Sequence, residues 1–317
     1  MIILRSVCSA YGQGKALEQI DLTAKDGEVT ILLGPSGAGK SALCDVICGI
    51  AAAQSGSVAI DGYDVEKDEI EAKRHIGYVP QDPAVFRDMT IRGQMKFIGQ
   101  TRELSARSLG EQVEKIIAQT KLADVANLPI RQLPEAYLQR AAVALALMGE
   151  VNNIVLDAPT KPLDAKQRLE LRAVIREACA GKAVLIATDN ITEAEALGDI
   201  VYVIEKGRVV GRVRADRLAE LEADSGATGV LIACGAQQAQ EALKGCGLQF
   251  TVGEERDGLT SVQIQTGFGP EGRKNASLAI AKAGLAIVDM RPVKRDLAQL
   301  IGALENEPFA AEGAEAQ

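Results

Sequence analysis

The 317-residue chain has no tryptophan, and aromatic residues make up only 3% of it. Single-stranded nucleic acid is held largely by stacking on aromatic rings, so that class of function lacks its material. Positive charge is also in deficit: 35 Lys and Arg stand against 43 Asp and Glu, a net charge of −8. A general nucleic-acid binder usually carries a basic footprint, and this chain does not. No apolar run reaches the roughly 20 residues needed to span a bilayer; the cleanest stretch, Ala141 to Gly149, is about half that. The first residues, MIILRSVCSAYGQ, lack a basic segment followed by a long apolar core, so no secretory leader is expected. Six cysteines show no paired spacing that would suggest a disulfide framework. Cys44 and Cys48 share a helix face but have no second ligand pair, which predicts buried free thiols and not a metal site. The single histidine, His75, precedes a short apolar strand pattern and is expected to pack or face solvent. These absences together predict a soluble protein of a reducing compartment, the cytoplasm.

What is present is ordinary globular composition, 47% hydrophobic and 25% charged, in a length that suggests two domains. Over the first 217 residues, apolar strand patterns (GEVTILLGP, IGYVP, NNIVLD, KAVLIAT) alternate with helical ones, which predicts a parallel-rich α/β sheet. Residues 85–128 and the segment LPEAYLQRAAVALALMG read as helical. The helix pattern KQRLELRAVIREACA carries Leu and Ile at core spacing. Residues 220–224 read as a solvated helix end and linker. From 218 to 304 the order of patterns is βαββαβ with a trailing helix, the ferredoxin-like α+β arrangement. The acidic stretch 305–317 has no periodicity and is expected to be a disordered tail.

Gly34-Pro35-Ser36-Gly37-Ala38-Gly39-Lys40-Ser41 matches the phosphate-binding loop G-x-x-x-x-G-K-[ST]. It follows an apolar strand and opens a helical pattern, the context that separates it from a chance glycine-rich turn. Backbone N–H groups and the helix start supply positive field for phosphates. Lys40 is placed for the terminal phosphates and the Ser41 hydroxyl for Mg²⁺. Asp157 ends the apolar strand pattern NNIVLD; alone it would read as a helix cap, but beside the loop it reads as the carboxylate that holds the metal.

This order of motifs resembles the ATPase subunit of ATP-binding cassette (ABC) transporters over residues 1–215. The resemblance implies an α/β, P-loop ABC-type nucleotide-binding domain, with ATP and Mg²⁺ as ligands. Tyr11 stands where the family stacks an aromatic on adenine. IGYVPQDPAVFRDMT resembles the glutamine loop, which puts Gln81 near the metal with Ser41 and Asp157. LPEAYLQRAAVALAL stands at the signature segment, IVLDAPTKPLD at the metal Asp and the dimer-contact Asp164, and VLIATDN at the switch histidine. The DMT stretch, the Tyr137-x-Gln-Arg signature form and the small C-terminal α/β domain are most similar to ATPases of polymer, drug and gliding-type exporters. Membrane permease subunits and a peripheral position on the inner membrane face are implied.

Three positions depart from the family pattern. Ala158 stands where the family has a water-activating Glu, and loss of a general base costs about 10²–10⁴-fold in rate. Asp189 replaces the switch His; it cannot donate to a phosphate and adds negative charge beside it. Pro134-Glu135-Ala136 replaces Ser-Gly-Gly of the signature, where Pro lacks an N–H and Glu repels phosphate. All three touch γ-phosphate chemistry, while the groups for the α- and β-phosphates and the metal are retained. The expectation is a subunit that binds Mg-ATP without efficient hydrolysis and pairs with an intact ATPase. Two alternatives stay open: an active export ATPase in which Asp189 or Glu193 activates water, and a regulatory ABC-type scaffold without a membrane partner. No cluster of chemistry-bearing residues marks the C-terminal segment, which reads as an interaction module.

Overall fold

A computed structural model describes residues 1–11, 14–223, 225–267 and 269–306. It divides into two compact units, of which Met1–Ala215 is the first and Asp216–Asn306 the second. Of the tail expected at 305–317, residues 305 and 306 belong to the last helix, Leu297–Asn306, and 307–317 lie outside the described residues.

The first unit is built on two sheets. The smaller is antiparallel, in the order β2-β1-β4-β5, from β1 (Ile2–Tyr11), β2 (Gly14–Ala24), β4 (Ser55–Ile60) and β5 (Tyr63–Asp64). The larger has the order β10-β9-β3-β8-β7-β6. Its strands are β3 (Val29–Leu33), β6 (Ile76–Val79), β7 (Asn153–Asp157), β8 (Ala183–Thr188), β9 (Ile200–Glu205) and β10 (Arg208–Arg214). All of its pairings are parallel except the β9–β10 hairpin. β7 and β8 are buried at every position, which is why they read as continuous apolar runs and not as alternating ones.

The helices are α1 (Lys40–Ile47), α2 (Glu69–Arg74), α3 (Ile91–Thr101), α4 (Ala106–Gln119), α5 (Glu135–Ala146), α6 (Ala165–Ala178) and α7 (Ile191–Leu197). α1 is sandwiched between the sheets. Its Leu43, Cys44, Val46 and Ile47 pack with Ile2, Leu4, Leu17 and Ile20 of the small sheet and Leu32, Val155 and Leu185 of the large one. Burying one such aliphatic side chain is worth about 1.5–3 kcal/mol, so this layer fixes α1 firmly against β3. Cys44 and Cys48 are buried free thiols in this core, as their spacing predicts. His75 stacks on Tyr63, with ring centroids 5.3 Å apart, on the margin of the small sheet.

The second unit begins in α8 (Ala215–Ala223) and continues as β11 (Ala227–Ile232), α9 (Ala236–Lys244), β12 (Phe250–Arg256), β13 (Leu259–Gln265), α10 (Pro270–Lys282), β14 (Ile287–Pro292) and α11 (Leu297–Asn306). The antiparallel order β12-β13-β11-β14 is the ferredoxin-like one. On β13, Thr260, Val262 and Ile264 face inward and alternate with exposed residues, the period-2 pattern of a half-buried strand. Residues 220–223 end a helix as expected, with Glu220 and Ala223 exposed, but the other two are not solvated. Leu221 and Glu222 are buried; Glu222 accepts from Lys294 Nζ at 2.7 Å, and its carbonyl accepts from the Arg295 N–H at 2.9 Å. The ion pair and the neighbouring Leu218 make α8 part of the domain. Asp224 lies outside the described residues.

Candidate functional site

Four segments far apart in sequence meet because β3, β8, β7 and β6 are parallel neighbours, so their carboxyl ends form one edge. In open α/β sheets that edge is where ligands bind. The glycine-rich loop follows β3, Asp189 follows β8, Asp157 ends β7 and Gln81 follows β6. They line one cleft of 620 Å³ with Ser36, Gly37, Gly39, Lys40 and Ser41.

The loop is held by geometry that only glycine tolerates at its last turn. Gly39 has φ 104°, and a Cβ there would lie 2.9 Å from the Ala16 carbonyl oxygen. Gly34, Pro35 and Ala38 do not line the cleft: the Gly34 and Pro35 carbonyls accept from Lys40 Nζ at 2.8 and 2.9 Å, and Ala38 is buried. These three residues shape the loop from beneath. Lys40 is thus folded back on its own loop, where burial lowers its pKa and the carboxylates of Asp189 and Asp157 oppose that shift.

Asp157 is 3% exposed. Burial raises its pKa, partly offset by the Ser41 hydroxyl and by the Lys40 ammonium. A buried carboxylate beside a hydroxyl and facing a cleft is an oxygen-donor pair suited to a hard divalent cation. Gln81 is exposed in the cleft wall and adds a third oxygen. Among the described residues no cluster of three or more His, Cys, Asp or Glu could hold a metal alone. The remaining coordination of an Mg²⁺ would therefore come from phosphate and water. Tyr11 closes β1, but its side chain lies outside the described residues.

Where a general base would stand, Ala158 presents a methyl group to the cleft. Its φ is 48°, and its N–H donates to the Ala187 carbonyl at 2.9 Å, the last rung between β7 and β8. Glu193, the carboxyl offered as an alternative to the missing base, is 1% exposed and does not line the cleft. Its Oε1 accepts from Thr160 Oγ1 at 2.7 Å and its Oε2 from Thr188 Oγ1 at 2.6 Å. Asp189 does line the cleft and is exposed.

Pro134, Glu135 and Ala136 are not part of this cleft. They open α5 with no side-chain cap, and the Glu135 carboxylate accepts from Gln139 Nε2 at 3.1 Å. Asp164 caps α6 in a reciprocal capping box with Gln167. Sequence reasoning missed three charged cleft residues: Asp45 on α1, Lys206 in the β9–β10 turn, and Lys161. Lys161 could have been flagged, since it lies four residues past Asp157 in the same turn; Asp45 and Lys206 carried no signal.

Fold and cleft define a P-loop nucleotide-binding domain of the α/β class. The ABC transporter family profile matches residues 17–161. A daunorubicin resistance ATP-binding protein of Streptomyces coeruleorubidus is 31% identical over 217 residues, 68% of this chain and 68% of that protein. The Nod factor export ATP-binding protein I of Sinorhizobium fredii is 33% identical over 217 residues, 68% of this chain and 63% of that protein. Against the much longer rat ATP-binding cassette sub-family A member 17, identity is 27%, and the match spans only 11% of that protein. A dimeric ATP-binding cassette solved in a post-hydrolysis state with ADP and phosphate has a TM-score of 0.61 at 26% identity, covering 68% of this chain and 99% of that one. The chain belongs to the ATP-binding subunits of the ABC transporter family.

Proposed function

We propose that this chain is the nucleotide-binding subunit of an export complex, one that binds Mg-ATP and turns it over poorly or not at all. One observation carries the reading: the cleft retains Lys40, Ser41, Gln81 and Asp157 but has a methyl at Ala158 and a carboxylate at Asp189. The groups expected to bind phosphate and metal are present, while the positions of the family's water-activating Glu and switch His hold Ala158 and Asp189. Lys40 would leave its loop carbonyls for the β- and γ-phosphates, and Ser41, Asp157 and Gln81 would face the metal. A bound Mg²⁺ would neutralise phosphate charge there. Glu193 is unsuited to activate water, because both of its oxygens are engaged outside the cleft.

A membrane partner is supported by an apolar groove of 450 Å³ beside the Gln81 segment, lined by Pro83, Val85 and Ile98. Next to it Phe86 and Phe97 stack edge to face while 57% and 50% exposed, the kind of apolar patch that marks a docking surface. No helix among the described residues is long and apolar enough to cross a membrane, so the span would belong to a permease subunit. The chain would then sit on the cytoplasmic face. An intact second ATPase would complete the pair, since the degenerate signature at Glu135 would cripple a homodimer at both sites. The second reading, an active ATPase, is favoured only by Asp189, which faces the cleft and could accept a proton.

Thermal unfolding and phosphate release test the reading on the same samples. Mg-ATP at 100 times its Kd stabilises by about 2.7 kcal/mol, and Lys40→Ala should lose that shift. Phosphate release should not exceed that of Lys40→Ala. Equal shifts in both proteins refute binding; Mg-dependent release abolished by Lys40→Ala, with Asp189→Asn equally dead, establishes the active enzyme.

A further inference from the structure

Lys161 is a cation in the cleft wall that the three lost groups do not explain. It follows Asp157 by four residues, and its position is fixed by the backbone. Its N–H donates to the Ala158 carbonyl at 3.1 Å, and the Leu163 N–H donates to the Thr160 carbonyl at 3.1 Å. Thr160 is tied to Glu193, and Pro159 and Pro162 flank the turn with fixed φ. The side chain is exposed, and among the described residues it makes no ion pair, either with Asp189 or with Asp157. Its charge nevertheless reaches the floor of the cleft. After burial and the nearer carboxylates, it contributes to the low pKa of Lys40, and it favours the ionised form of Asp157.

In a P-loop site the glycine-rich loop would hold the β-phosphate, with Lys40, Ser41 and Asp157 toward the β–γ junction. Lys161 lies four residues past Asp157 with its N–H on the Ala158 carbonyl, so it lines the cleft with Ala158 on the side where β7 ends, and Asp189 follows the neighbouring β8. Ala158 contributes nothing polar there and Asp189 repels an anion, while Lys206 belongs to the turn whose Gly207 N–H donates to the Ala38 carbonyl of the glycine-rich loop at 2.9 Å, which leaves Lys161 as the unassigned cation on the Asp157 side.

Resting on the nucleotide-binding reading above, we infer that Lys161 recognises the γ-phosphate and makes this subunit discriminate ATP from ADP. The subunit would then report the triphosphate by binding it, without needing to cleave it. A flexible lysine donates as a point charge and needs no bidentate geometry, so Arg should substitute.

The test is isothermal titration calorimetry of the full chain with Mg-ATP and with Mg-ADP, for wild type, Lys161→Ala, Lys161→Arg and Lys40→Ala. A hydrogen bond to a charged group supports a loss of about tenfold or more in ATP affinity for Lys161→Ala, with ADP affinity held within about twofold. Lys161→Arg should recover most of the ATP affinity. Equal losses for the two nucleotides, or no loss for either, overturn the assignment while leaving nucleotide binding intact. Wild type binding neither nucleotide, or Lys40→Ala binding both as well as wild type, overturns the underlying reading and this inference with it. Since Lys161 is exposed and contributes nothing to the core, an unchanged thermal midpoint without nucleotide verifies that Lys161→Ala is folded.

Discussion

Glu193 offers the sharpest test of how this cleft is built. Its carboxyl group ties the turn after β7 to the end of β8 by accepting from Thr160 and Thr188, all three being 4% exposed or less. Its own N–H is held by the Asn190 side chain, which caps α7 at 3.0 Å. Thr188 Oγ1 also accepts from the Asn190 N–H at 3.1 Å, so its proton is free to point at Glu193. Hydrogen bonds to a charged group contribute about 1.5–3 kcal/mol each, so Glu193→Ala, which removes two and strands two buried hydroxyls, should cost about 3–5 kcal/mol. Glu193→Gln keeps the shape and one acceptor, and its amide can donate to the other hydroxyl, so its cost should be about 1 kcal/mol. Urea unfolding followed by far-UV circular dichroism reads both values, and the midpoints should rank wild type, Gln, Ala. Nucleotide affinity should fall in the same order, because Lys161 and Asp189 lie on the two segments that Glu193 joins. If Glu193 instead activates water, Glu193→Gln abolishes phosphate release and hardly moves the midpoint. That pattern, or a Glu193→Ala protein within about 1 kcal/mol of wild type, would refute the latch.

Asp157 makes a prediction in pH. Burial raises its folded pKa, so the folded state holds this proton more tightly than the unfolded chain, and the ionised group costs stability above the usual carboxylate range. That cost fades as pH falls through the folded pKa. Asp157→Asn should therefore raise the nucleotide-free midpoint at pH 7, lose that advantage near pH 4, and abolish the Mg-ATP shift; a fall in the midpoint at pH 7 contradicts the burial account. Ala158→Glu should fold normally, because Ala158 already carries a Cβ at φ 48°. Combined with Asp189→His it should raise phosphate release only where a partner supplies an intact signature. Repairing Pro134→Ser, Glu135→Gly and Ala136→Gly should accelerate the opposite site of a reconstituted hetero-pair. An unchanged rate after the signature repair, or purification only as a homodimer, sinks the shared-site account.

The glycine-rich loop and Asp157 were legible because each combines a local chemical pattern with a buried apolar strand, and both properties are carried by adjacent residues. β7 and β8 reveal themselves through uninterrupted apolar runs, since parallel strands are covered on both faces. The βαββαβ order of residues 218–304 was likewise readable from period-2 and helical patterns. Composition misled at residues 220–223, where acidic character suggested solvent; the pairing of Glu222 with Lys294, 72 residues later, is invisible locally. Glu193 was open to a catalytic reading for the same reason. Only the adjacency of β7 and β8 brings Thr160 and Thr188 to its two oxygens and turns it away from the cleft. Lys206 is unremarkable in sequence, because a charged turn residue is ordinarily solvated, and Lys161 is marked only by its spacing from Asp157. Their place in the cleft comes from the strand order β9-β3-β8-β7-β6, which sets the loop after each strand on one edge. Sequence thus determined the residues proposed to hold phosphate and metal, through motifs a few residues long. Tertiary structure decided which other charges line the same cleft, because those charges converge through sheet pairing across more than a hundred residues.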